Sequence, residues 1–142
     1  MKRTNKLLAM MVLALMLVLG LTACGKKEEA DLWKDAKWTE DASLGEGVNT
    51  ILVEVEMEEK SITFTIASDK TILGDILMDH ELLEGEMGPY GLYIKSVNGV
   101  RADYDKDKAY WGIYKDGEYL MSGVDSTEVS DGDHYELVYT KE

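Results

Sequence analysis

Between Ile51 and Ile66 the chain alternates apolar and polar residues with a period of two, twice in succession. Ile51, Val53, Val55 and Met57 are interleaved with Leu52, Glu54 and Glu56. Ile62, Phe64 and Ile66 are interleaved with Ser61, Thr63 and Thr65. Each run places its apolar residues on one face of a strand. Only Glu58-Glu59-Lys60 lies between them, which is too short for a parallel crossover, so the two runs predict an antiparallel hairpin.

The period then changes. Leu73, Ile76, Leu77 and His80 fall at helical spacing. Thr71 is the expected N-cap, Asp75 complements the helix dipole, and Gly74 weakens the helix by about 1 kcal/mol relative to alanine. Gly85, Gly88 and Pro89 predict a loop. Strands return at Leu92–Val97, Tyr110–Tyr114, Glu118–Met121 and Tyr135–Tyr139, with tight turns at Asn98-Gly99, Asp116-Gly117 and Asp131-Gly132-Asp133. Asp103–Lys108 reads as a polar loop, Ala36–Thr39 as a short strand, and Leu44–Gly47 as a bend. Two strands cannot bury a helix alone, so all strands are expected in one sheet. The predicted fold is α+β: a β-grasp-like mixed or antiparallel sheet with one helix packed across one face, after an N-terminal signal helix.

That leading segment carries Lys2, Arg3 and Lys6, followed by 13 uninterrupted apolar residues from Leu7 to Leu19. A spanning helix needs roughly 20, so the run suits a secretory signal better than a permanent span. Leu21-Thr22-Ala23-Cys24 then resembles a bacterial lipobox, in which the cysteine is acylated and becomes the mature N-terminus. The reading is a signal peptide over 1–23, a charged tether over 24–35 and one domain over 36–142, anchored outside the cytoplasm by lipid on Cys24. An uncleaved transmembrane helix is the alternative. Trp33 and Trp38 are expected to pack on the domain's edge, with a headgroup anchor as the other option.

Net charge is −13, from 28 acidic and 15 basic residues, which disfavours nucleic acid and anionic lipid surfaces. Cys24 is the only cysteine, so neither an intramolecular disulfide nor a cysteine zinc cluster is available. Met121-Ser122-Gly123 lacks the first glycine of a nucleophile elbow, and His80 and His134 alone define no triad. No catalytic residue is assigned, and the chain is expected not to be an enzyme. Asp103, Asp105 and Asp107 open like a calcium loop, but Lys108 and Tyr114 stand where glycine and glutamate belong, and no metal site is assigned.

Aromatic placement is more informative. Nine of the twelve aromatic residues lie between Tyr90 and Tyr139. Strand alternation sets Tyr110 and Tyr114 on one face and Trp111 and Ile113 on the other. One face meets the helix, and a tyrosine-rich open face supplies contact area for a ligand. Equally, tyrosines are good strand formers that need little burial. The candidate ligand-binding residues are Tyr90, Tyr93, Tyr110, Trp111, Tyr114 and Tyr119.

Val97-Asn98-Gly99-Val100, Tyr110-Trp111-Gly112-Ile113-Tyr114, Asp116-Gly117-Glu118-Tyr119, Gly123–Thr127 and Asp131–Leu137 together resemble a bacterial family of domains of unknown function. That family is similar to the C-terminal domain of transcobalamin and intrinsic factor. The resemblance extends over about 38–140, and Gly85–Ile94 shares it. It implies a ligand-binding β-grasp fold and, among ligands, a corrinoid such as cobalamin. In the vitamin carriers a separate helical domain holds the other corrinoid face, and this chain has none. The family offers no catalytic residues to carry over. The expected function is a lipid-anchored, extracytoplasmic small-molecule-binding protein that works with a membrane importer. The alternative is a non-catalytic surface module that docks another envelope protein or a polysaccharide through an exposed strand edge or aromatic face. No cofactor is expected beyond a corrinoid held as ligand.

Overall fold

The computed structural model describes residues 31–142. The segment expected to be a signal peptide, Cys24 and the first part of the expected tether lie outside the described residues. Leu32–Glu142 form a compact unit. It begins with a single 3-10 turn at Leu32–Asp35, inside the segment expected to be tether. The reason is Trp33, which is buried and whose Nε1 donates to the Met57 carbonyl at 3.2 Å. No helix among the described residues is long and apolar enough to cross a membrane.

The first strand is β1, Ala42–Gly45, so the chain is extended where a bend was expected and irregular at Ala36–Thr39. The N-terminal segment is held at Trp38 instead, by the buried Asn98. Its Oδ1 accepts from Trp38 N–H at 2.9 Å and its Nδ2 donates to Trp38 C=O at 2.8 Å. The predicted hairpin is present as β2, Asn49–Met57, and β3, Lys60–Ser68, paired in the expected antiparallel register. Glu58-Glu59 make the turn, with Glu58 at a φ of 58°. Helix α1 spans Leu73–Asp79 and buries Leu73, Gly74, Ile76 and Leu77. Ile72, not Thr71, is its N-cap, and its side chain makes no cap bond. Main chain replaces the cap: Leu73 N–H donates to Thr127 C=O and Thr71 C=O accepts from Val129 N–H. Gly74 earns its place by contact, since a Cβ there would stand 3.1 Å from Val124 O.

Next come β4, Leu83–Gly88, and β5, Gly91–Val97. The glycine-rich stretch expected as loop is therefore strand. Its pairing with β5 is interrupted by a bulge between Glu84 and Gly85, which lets glycines sit in a ladder. Strand β6, Val100–Arg101, returns from β5 through Asn98-Gly99, both at positive φ as a tight primed turn requires. Helix α2, Tyr104–Asp107, replaces the expected polar loop because Asp103 caps it, accepting from Asp105 N–H and Lys106 N–H. The chain ends in β7, Ala109–Lys115, β8, Glu118–Tyr119, and β9, His134–Lys141.

The strands form two sheets, not the one expected. Six follow the order β1-β3-β2-β9-β7-β8, and β4-β5-β6 form a second sheet. The large sheet is mixed: β9 runs parallel to β2 and antiparallel to β7. Its inward face, the helix and the small sheet share one apolar core that includes Ile51, Phe64, Leu77, Val97, Trp111 and Leu137. Phase alone cannot assign a strand to a sheet, because both sheets bury one face against the same core.

Candidate ligand-binding groove

Where the edge of the large sheet meets the small one, β5 and β7 lie side by side without pairing. Between them is a groove of about 470 Å³. One wall is Leu92, Tyr93 and Ile94 of β5, and the floor is Tyr110, Trp111 and Ile113 of β7. The other wall, Tyr119 through Val124, is the segment that leaves β8. Two hydrogen bonds made by side chains brace it, the first between the two sheets and the second between β5 and the 3-10 turn Val124–Ser126. Trp111 Nε1 donates to Val100 C=O at 3.0 Å, and Leu92 N–H donates to Asp125 Oδ1 at 3.1 Å. The wall after β8 is itself held by Thr127, whose Oγ1 donates to Gly123 C=O at 2.8 Å. Such anchoring fixes the groove before any ligand arrives.

Around this groove the protein exposes Met87, Tyr93, Tyr119 and Met121, the last 92% accessible. Tyr90 stands fully exposed on the β4–β5 turn and lines a neighbouring cavity of about 380 Å³ that shares Leu92 and Tyr93 with the groove. A cluster of large apolar side chains around one concavity marks a binding surface more often than scattered ones do.

Of the residues chosen from sequence, Tyr93, Tyr110, Trp111 and Tyr119 line the groove and Tyr90 lines its neighbour. Tyr114 lines neither. It packs edge-to-face on Tyr119, with ring centroids 5.4 Å apart, and lies over Gly112. Trp111 is only 6% exposed and meets Tyr139 edge-on at 5.4 Å, so its ring belongs to the core. The concavity lies at the sheet's edge, not on the open tyrosine face. Sequence reasoning missed Leu92, Ile94 and Leu120–Val124. The sequence carried no signal for them: the strand expected over Glu118–Met121 ends at Tyr119, and its departure from β7 there opens the slot.

The open face of the large sheet carries a second cluster. His134 Nε2 is 3.4 Å from Glu54 and its Nδ1 is 3.8 Å from Glu136. Ser61 Oγ donates to Glu54 at 2.6 Å, so the carboxylate stands between hydroxyl and imidazole, which is not the order of a nucleophile–base relay. Burial and the charges of Glu54 and Glu136 push the Glu56 carboxyl up. Elsewhere Asp133 accepts from Lys115 Nζ, Tyr135 OH and Ser130 N–H. Burial acts to raise its pKa, but these donors outweigh it and hold the carboxyl below its ordinary value. Burial and Asp133 push the Tyr135 phenol up. His80 closes α1 and lies against Gly45. Asp103 serves α2 as its cap, so the calcium-like run of acids is a helix start. Among the described residues no group of three or more His, Cys, Asp or Glu is arranged to hold a metal ion.

Residues 69–141 match a family model described as a domain of unknown function (DUF4430). This chain belongs to that family. The DUF4430 domain is similar to a protein from Ruminococcus gnavus ATCC 29149 described as a "putative metal binding protein", at 35% identity and a TM-score of 0.63. That match covers 67% of this chain and 99% of the other. It is also similar to haptocorrin in complex with Cbi, at 19% identity and a TM-score of 0.57, a likeness of fold. There it covers 66% of this chain but a quarter of haptocorrin. No curated protein matches. The family of unknown function and the α+β fold agree with the sequence-based expectation, and the likeness to haptocorrin is one of fold.

Proposed function

We propose that the DUF4430 domain is a non-catalytic binding module whose groove takes a small organic ligand, and that a corrinoid is that ligand. The observation that carries the reading is the groove itself: pre-tied walls, a lining of aliphatic and aromatic side chains mixed with polar groups, and a rim of exposed Tyr and Met. A corrinoid is broad, with partly apolar faces and amides along its edge, and aromatic walls suit it. The likeness to haptocorrin, solved with Cbi, supports the choice. A groove of about 470 Å³ covers only part of so large a molecule, so moderate affinity is expected unless a partner closes the other side. Acylation at Cys24 would hold the domain outside the cytoplasmic membrane, where a membrane importer would receive the ligand.

A thermal-shift series with dicyanocobinamide and cyanocobalamin tests the ligand. Ligand at 100 times its dissociation constant adds about 2.7 kcal/mol. For a domain of this size that raises Tm by roughly 10 °C or more. No shift at saturating corrinoid removes the corrinoid and leaves the groove in need of another occupant. Replacing Cys24 with Ala is expected to move the protein out of the membrane fraction; retention there refutes the anchor.

A further inference from the structure

The floor of the groove is a strand edge on which three main-chain polar groups have no mate among the described residues. Three observations fix which way the β7 residues point. Leu120 N–H donates to Ile113 C=O at 2.8 Å, on the β8 side. Asp116 N–H donates to His134 C=O and Glu142 N–H donates to Lys108 C=O, both on the β9 side. Antiparallel pairing alternates, so the even-numbered residues Tyr110, Gly112 and Tyr114 bond to β9 and the odd-numbered ones face away. Strand β8 covers that outer edge only at Tyr114 and Lys115, and Leu120 extends it by one bond. Trp111 N–H, Trp111 C=O and Ile113 N–H are left facing the groove without a protein partner among the described residues. The two residues they belong to are nearly buried, and main-chain groups in such a place must be met by water or a ligand.

We propose that this edge selects the ligand by a carboxamide. Its N–H would donate to Trp111 C=O, and its C=O would accept from the N–H of Trp111 or Ile113, as a neighbouring strand would. The proposal rests on the groove being the ligand site and adds the chemical group the site reads. An apolar ligand or an ester would leave Trp111 C=O unmet.

Hydrogen exchange of the full chain provides the test. In the free protein, Trp111 and Ile113 amides are expected to exchange faster than those of Gly112 and Tyr114. Two amide–ester pairs then serve as probes: dicyanocobinamide against dicyanocobyrinic acid heptamethyl ester, and p-toluamide against methyl p-toluate. Each amide is expected to slow exchange at Trp111 and Ile113 and to bind about tenfold or more tighter than its ester, the worth of roughly one hydrogen bond. If p-toluamide does this while dicyanocobinamide does not bind, the carboxamide proposal stands and the corrinoid reading falls. If both pairs bind without amide preference, if an amide binds without protecting these two positions, or if neither amide binds, the proposal is overturned.

Discussion

Replacing Asn98 puts the logic of the fold at risk in one position. Its side chain is fully buried and makes two hydrogen bonds to Trp38, at 2.9 and 2.8 Å, while its own backbone sits at a φ of 51°. Asn98→Gly removes the two bonds and keeps the turn, which costs about 2 kcal/mol at roughly 1 kcal/mol per bond. Asn98→Ala keeps a Cβ in the left-handed region, which asparagine tolerates and alanine does not, adding about 1 kcal/mol for a total of about 3 kcal/mol, whereas glycine has no Cβ to strain. Urea unfolding followed by tryptophan fluorescence measures both, since Trp38 is released with the clamp. The alanine variant should therefore be the worse of the two despite alanine's better general propensity. An alanine cost below about 1 kcal/mol, or a glycine variant as damaged as the alanine one, would show that neither the clamp nor the turn has the role assigned to it.

Trp111→Phe keeps the ring packing and deletes the donor to Val100 C=O; it should lower stability by about 1–2 kcal/mol in the same assay, and no loss would mean the indole bond ties nothing. Asp133→Asn tests a pH effect. The folded carboxyl titrates below its unfolded value, so its contribution is complete above the unfolded pKa and is lost as pH falls through the folded one. Wild type should exceed the variant by a constant amount from about pH 7 to 5, with the gap closing below about pH 4; a gap that widens in acid refutes the assignment. Glu56 has the opposite sign. Its carboxyl is raised in the fold, so its effect favours folding at low pH and is lost as pH rises through the folded value. Glu56→Gln should stabilise the protein at pH 7 by up to about 0.5 kcal/mol, this being a largely solvated sheet face, and should change nothing near pH 3; denaturation at the two pH values decides.

Local periodicity carried the β2–β3 hairpin, the α1 face and the turn at Asn98-Gly99, because each is set by neighbours in sequence. It failed at β4, where Gly85 and Gly88 read as a break. The bulge that accommodates Gly85 depends on β5 lying opposite, where Tyr93 O would collide with a Cβ at this position. Thr71 was a reasonable cap on local grounds, but the orphan N–H of Leu73 finds Thr127, more than fifty residues away. The candidate site was half legible. Aromatic enrichment pointed at the strands that border the groove, and Tyr93, Tyr110 and Tyr119 line it. That the hollow lies along an edge depends on β8 ending at Tyr119, which no alternation pattern announces.

The parallel contact between β2 and β9 also dictates an order of assembly. Val53 meets Tyr135 and Val55 meets Leu137, so among the described residues β9 is the strand that joins the N-terminal hairpin to β7 in the large sheet. Until β9 emerges, the two halves of the large sheet have no hydrogen bonds in common, and closing so long a loop is slow. A growing chain therefore holds its two half-sheets apart, each with an unpaired inner edge, until His134–Lys141 has been made and can slot between them.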